Sequence, residues 1–315
     1  MNTLGNPYKE MGTTCKTRPI AEKKVVWKRF ESEPFEEGRF QAKVLSRRFI
    51  HSAATVFRKA YPEVYGSPHE FVLMPEKYEE LIALDESWEE DSRNKVYCMP
   101  VVVELETDKV VSATMLTKVE KNLQVEFTFA ATLPNYRLKK IMQNLRAITW
   151  KVALASGAEY FTTFLETWHD ITQKWCIKDG WRVAGIFPGK FVRWKKPDQE
   201  YRGCTVHCYR YARKGEDYVT MPEEWSLAPE FSELWEVLER INKKIGRKGD
   251  VPSWLEEFDP WSLKDFYRFR VQRSGLRTKK ALKIRSPRYK CSFSQVIANL
   301  ASNFVLGLTK LTFFS

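Results

Sequence analysis

An α/β fold with one strand–helix–strand crossover is predicted by three features of the 315-residue sequence. First, Ile141, Leu145, Ile148, Val152 and Ala155 recur at i, i+4, i+7, i+11 and i+14, the stripe of a helix laid on a sheet. Second, apolar runs of strand length, "LQVEFTFAATL" and "AEYFTTFL", flank that helix. Third, "VYCMPVVVELE" and "VVSATMLTKV" are joined by the turn-forming "TDK", which reads as a hairpin.

The elements follow in order. Residues 1–38 read as an irregular arm. From Phe40, "FQAKVLSRRFIHSAATVFRKAY" has apolar residues near helical spacing and stops before Pro62, so a helix is expected there. "PEKYEELIALDESWEED" reads as a second helix, with Pro75 in its first turn and Glu76 and Glu79 near its positive end. Pro100 marks its strand as an edge, a bulge or a strand beginning. After the hairpin and the third strand comes the 141–155 helix, ended by Gly157. "AEYFTTFL" is nearly unbroken apolar text, as in a strand covered on both faces. "TWHDITQKWCIKDG" is a helix capped by Thr167 or Asp170 and closed by Gly180. "WRVAGIFPGKFVRW" and "GCTVHCYRYAR" are two more strands, and "PEFSELWEVLERINKKIG" is an amphipathic helix. No internal repeat is evident.

A 43% hydrophobic, 14% aromatic composition excludes a disordered chain. No apolar run opens the sequence, so no secretory signal is expected. Six irregularly spaced cysteines fit a reducing cytoplasm better than a disulfide framework. The net charge is +12, but residues 266–315 hold eleven lysines and arginines and no acid, which leaves the body at +1. An anionic partner, nucleic acid or a membrane surface, is therefore considered for that segment alone. Its last stretch places Val296, Leu300, Phe304 and Leu311 on one helical face, interrupted by polar residues. It is too polar for a membrane span, and docking on the body is the simpler alternative.

The turn at Pro134–Asn135–Tyr136–Arg137 leads into a helix that opens with lysines. A helix start offers unpaired N–H groups and partial positive charge, and a diphosphate can accept both. Here the order and the residues, over roughly 40–213, resemble the GNAT superfamily of acyl-CoA-dependent N-acyltransferases. "VEFTFAATLPNYR" with "LKKIMQNL" is similar to the family's fourth strand, pyrophosphate loop and third helix. "HDITQKWCIKDGWRVAGIF" is similar to the following helix, with Gly180-Trp181 where Gly-Phe is common. The loop departs from the family pattern. Arg137 is kept, but Leu138 and Lys140 or Ile141 stand where glycines would be.

The resemblance implies a mixed, mostly antiparallel sheet with a central β-α-β crossover in a domain of residues 39–214. Around it are the N-terminal arm, a helical extension and linker (215–265) and the basic segment (266–315). It also implies acyl-CoA, most simply acetyl-CoA, as co-substrate and an amine of unspecified identity as acceptor. Backbone amides near Ala130, Ala131 and Thr132 would hold pantetheine and polarise the thioester. Arg137, Leu138, Lys139, Lys140, Ile141 and Met142 would form the phosphate seat. Glu126 stands where some members place a general base, and its alternative is an outward-facing strand glutamate. Cys176 stands where a tyrosine often protonates the leaving thiolate, and its alternative is a small buried hydrophobe. His169 reads as a helix-terminus group. Cys204, His207 and Cys208 do not make a metal site, because strand alternation turns His207 away from the two cysteines. The rival to the enzyme is a non-catalytic scaffold whose basic tail attaches it to nucleic acid, membrane or an assembly.

Overall fold

The computed structural model describes residues 16–19, 24–137, 141–196, 198–213, 215–220, 222 and 225–248. Leu138, Lys139, Lys140 and the basic segment from 266 onward lie outside the described residues, and with them the readings made there.

Nine strands among the described residues make one sheet. The main path runs β1 (Phe40–Val44), β4 (Pro100–Glu104), β5 (Lys109–Val119), β6 (Gln124–Thr132), β7 (Tyr160–Glu166), β9 (Gln199–Tyr211), β8 (Arg182–Lys196). Two short strands, β2 (Ile82–Ala83) and β3 (Tyr97–Cys98), pair with each other, and β3 also pairs with β5. Every pair is antiparallel except β2/β3 and β6/β7. Parallel β6 and β7 are joined by helix α4 (Ile141–Ala155). This is the mixed, mostly antiparallel sheet with a central β-α-β crossover that the resemblance implied.

Helix α1 (Ile50–Ala60) covers one face. Its Ala53, Val56 and Phe57 share a core with Val101, Val103, Ala113 and Met115 of β4 and β5. Helix α4 covers the other face, where Trp150 meets Phe127 and Phe161. Thr149 is buried there, hydroxyl to hydroxyl with Thr114 at 2.7 Å.

The structure corrects two helices read from the sequence. Residues Phe40–Val44 are a strand: Phe40, Ala42 and Val44 alternate inward, and the segment pairs with β4 from Phe40↔Glu104 to Val44↔Pro100. The helix begins only at Ile50, after a 3-10 turn. The second helix breaks into α2 (Tyr78–Leu81) and α3 (Trp88–Asn94), because Ile82 and Ala83 between them pair with Tyr97 and Cys98. In both places a sheet edge supplied backbone partners that local periodicity does not register. Pro100 turned out to begin β4. The arm is irregular yet docked: Trp27 is fully buried, and its indole N–H donates to the Lys95 carbonyl at 3.1 Å.

Helix α5 (Ile171–Lys178) starts after Asp170 but without a side-chain cap. It ends at Gly180 (φ +74°), where the Trp181 N–H returns to the Cys176 carbonyl at 3.0 Å. That left-handed stop lets the chain turn directly into β8. The β8/β9 pair is interrupted by register shifts, one of them between Phe187 and Phe191. Beyond it, Trp194 packs on Tyr65 (ring centroids 5.2 Å apart) and lies over Gly66 (φ +70°). The distal hairpin thus meets the segment that follows α1. Helix α6 (Pro229–Lys248) is fastened to β8 by Asn242, whose side chain accepts the Val183 N–H at 2.7 Å and donates to its carbonyl at 3.0 Å.

Candidate functional site

The parallel ladder of β6 and β7 stops early. Pairing runs from Gln124↔Tyr160 to Phe127↔Thr163, while β6 continues to Thr132 and β7 to Glu166. At the last rung the Thr163 hydroxyl donates to the Phe127 carbonyl at 2.9 Å, closing the base of the fork. The β5/β6 register shifts between Met115↔Phe129 and Leu116↔Phe127, so Thr128 is an extra residue in β6, a β-bulge.

The bulge decides what faces the opening. A regular strand would point Phe127 and Phe129 to the same side. Instead Phe127 contacts Trp150 and Trp181 on the α4 face, and Phe129 contacts Phe57, Tyr61 and His69 on the α1 face. The backbone shifts with them. The Ala131 carbonyl accepts from Ser112 of β5, whereas the Ala130 carbonyl accepts the Tyr61 hydroxyl at 2.7 Å, away from β5. In a strand the N–H and C=O of one residue point the same way, so the Ala130 N–H also faces the fork.

A cavity of about 160 Å³ occupies the fork. Its α4-side wall is Met142, Arg146, Trp150, Trp175, Cys176 and Trp181; its α1-side wall includes Tyr61, His69, Phe191, Arg193 and Glu166. Glu126, Phe127, Thr128, Phe129 and Ala130 line it from β6.

The residues singled out in the sequence divide as follows. Glu126 and Cys176 both reach the cavity, from different elements. Burial raises the Glu126 carboxyl above the ordinary carboxylate range, and the charge of Lys190 opposes that shift. Burial, with smaller contributions from Cys208 and Asp179, raises the Cys176 thiol well above its usual value. Ala130 and Met142 line the cavity, but the side chains of Ala131, Thr132 and Ile141 are buried. Thr132 pairs its hydroxyl with Ser112 at 2.7 Å, so the last three residues can offer only backbone to a ligand. Arg137 is exposed, and its Nε donates to the Thr132 carbonyl at 3.3 Å. His169 also lines the cavity, with Nδ1 buried and unpartnered among the described residues.

The turn Pro134–Tyr136 before α4 is anchored firmly. The Tyr136 hydroxyl donates to buried Glu104 at 2.8 Å, which also receives Arg39 Nε (2.8 Å) and the Thr107 hydroxyl (2.8 Å). Burial alone would raise the Glu104 carboxyl; the bonds from Thr107, Tyr136 and Arg39 outweigh it and hold the group below its ordinary value.

Sequence reasoning missed Tyr61, His69, Glu166 and Arg193. They come from different elements and connecting segments, and no motif spacing links them. Burial, aided by Arg193, lowers the His69 imidazole, and burial pushes the Tyr61 hydroxyl up to about 12. Cys204, His207 and Cys208 take other roles. Cys204 accepts the Gly189 N–H at 3.4 Å, His207 stacks on Phe164 (4.3 Å, 15°), and Cys208 is buried. Among the described residues no helix is long and apolar enough to cross a membrane.

No family model and no curated protein matches the chain. Solved structures do resemble it. A spermidine N-acetyltransferase SpeG variant from Vibrio cholerae is 11% identical, covers 56% of this chain and 96% of its own, and has a TM-score of 0.44. An N-acetyltransferase from Staphylococcus aureus is 13% identical over 55% of this chain and 98% of its own, with a TM-score of 0.41. Ard1 from Thermoplasma volcanium is 13% identical over 55% and 97%, with a TM-score of 0.40. Likenesses of this degree carry no activity to this chain.

Proposed function

We propose that the chain is an N-acyltransferase that moves an acyl group, most simply acetyl, from acyl-CoA to an amine by direct attack. The observation that carries the reading is the fork, where two parallel strands separate beside a helix start and a bulge turns the Ala130 N–H into the opening. That N–H suits a developing oxyanion. The pantetheine arm enters from the α4 side, past Met142 and Cys176. Arg137 exchanges the Thr132 carbonyl for phosphate, joined by Lys139, Lys140 and the backbone N–H groups of Leu138, Ile141 and Met142.

The amine reaches the fork from the α1 side. Glu126 takes the ammonium proton, directly or through water, and its burial brings its pKa closer to neutral pH. The amine lone pair then attacks the thioester carbon, the C–S bond of the tetrahedral intermediate breaks, and the leaving thiolate takes up the further proton that the nitrogen sheds on becoming an amide. Cys176 remains a thiol through the neutral range. Full proton transfer from it to a thiolate of ordinary pKa is uphill, so its contribution is a hydrogen bond to the departing sulfur.

Thermal unfolding with and without acetyl-CoA tests the reading. A ligand at a hundredfold excess over its Kd stabilises the native state by about 2.7 kcal/mol. An unchanged melting curve at millimolar acetyl-CoA sinks the enzyme and leaves the scaffold, the reading that the missing loop glycines favour.

A further inference from the structure

The α1-side wall of the cavity contains a charged pair that the acyl-transfer chemistry does not use. Arg193 of β8 has only 7% of its side chain exposed and donates Nη2 to Glu166 at 3.0 Å. Its one other hydrogen bond among the described residues is a long one, Nη1 to the Val192 carbonyl at 3.4 Å. A guanidinium carries five N–H donors in a fixed fork. Most of those on Arg193 therefore have no acceptor among the described residues, in a group that itself lines the cavity. The Phe191 ring lies beside the group, its centroid 4.9 Å from the central carbon. Gly203 faces it across the strand pair, and even an added Cβ there would sit no closer than 3.5 Å to the Arg193 side chain. An arginine anchored through one nitrogen and buried with donors to spare is poised for a planar anion.

The anion has to arrive with an amine. Glu166 already balances Arg193. The cavity thus offers a fork of donors for an anion on the Arg193 wall, and the Glu126 carboxyl on β6 for an amine. We propose that the acceptor is a free amino acid, its carboxylate held by the open donors of Arg193 while its amine points to the fork. This rests on the acyl-transfer reading and gives its acceptor a chemical class. A polyamine, with no anionic group, would leave the Arg193 donors unpaired, and a buried group left unpaired is strongly disfavoured.

Calorimetric titration of the full chain, with and without acetyl-CoA, tests the proposal directly. The probes are the common amino acids and β-alanine, each compared with its C-terminal amide and its decarboxylated amine (lysine, lysinamide and cadaverine, for example). The expected result is at least one amino acid binding tenfold or more tightly than both of its partners. Arg193→Lys keeps a charge opposite Glu166 but loses the planar fork, and should erase that preference. Removing the arginine alone would strand Glu166, so the neutral pair Glu166→Gln/Arg193→Gln is the second variant, expected to bind acid and amide alike. Amide or amine binding as tightly as the acid overturns the proposal, as does no amino acid binding at millimolar concentration. A preference that survives in a folded variant also overturns it. If both variants fail to fold, the wild-type comparison decides. The acetyl-CoA titration in the same series reports separately on the acyl donor: an acyl-CoA that binds without any carboxylate preference leaves the enzyme standing and removes only its acceptor.

Discussion

Glu126 and Glu104 are both carboxylates on the central sheet, and their surroundings push them in opposite directions. Burial raises Glu126. A carboxyl whose folded pKa lies above its unfolded value contributes stability that is fully present below the unfolded pKa, about 4.3. That contribution is lost as pH rises through the folded value. Glu126→Gln should therefore abolish a fall in stability on raising the pH from about 4 toward neutrality, measured by denaturant unfolding at each pH. The same substitution should cost about 10²–10⁴-fold in kcat if Glu126 is the base. A variant retaining full turnover would remove it from that role. Glu104, held low by its bonds, behaves oppositely: its contribution is present above the unfolded pKa and lost as pH falls through the folded one. Neither environment is readable from "VEFTF" or "VVVELE". Strand alternation suggests which face each residue takes, but not what stands opposite.

At the scale of elements, the β6–α4–β7 unit was legible because its signals are local and repeated: an apolar stripe at helical spacing between two apolar runs. The bulge inside β6 was not. Thr128 carries no glycine or proline to mark it, and only the β5 register shows that a residue is extra. The contact between the distal β8/β9 hairpin and the 62–66 segment depends on one glycine. A side chain at Gly66 would strike the Trp194 indole, and its φ of +70° disfavours any L residue. Gly66→Ala is expected to destabilise the protein by about 1–3 kcal/mol, read as a lowered denaturation midpoint. Unchanged stability would mean that the hairpin does not pack there in solution. The turn before α4 depends on Tyr136 in a similar way. Tyr136→Phe removes one charge-assisted bond to Glu104, and about 1.5–3 kcal/mol should be lost. Acyl-CoA affinity should fall with it if this turn seats the phosphates.

For the whole molecule, the cavity is the feature that no single segment contains. Its walls come from Tyr61 at the C-cap of α1, the segment after it, four strands and two helices. The sequence pointed to the α4 side through the resemblance, and Met142 and Cys176 do line that wall. It said nothing of the α1 side, where Tyr61, His69, Glu166 and Arg193 converge from separate parts of the chain. Converting Tyr61 to Phe releases the Ala130 carbonyl. It should cost about 0.5–1.5 kcal/mol in stability and shift the melting temperature without changing the fold, as followed by circular dichroism.

What the sequence determined by itself is the crossover, the order of its strands and helices, and the concentration of positive charge beyond residue 265. Those depend on short-range periodicity and on counting, which a linear text contains. Tertiary structure alone decided that 40–44 is a strand, that β6 carries a bulge, and that β6 and β7 part after Phe127 and Thr163. It also decided which buried charges meet. The physical reason is common to all four: backbone hydrogen bonds and ion pairs between distant residues depend on which partner arrives opposite, and a partner's arrival leaves no trace in the local spacing.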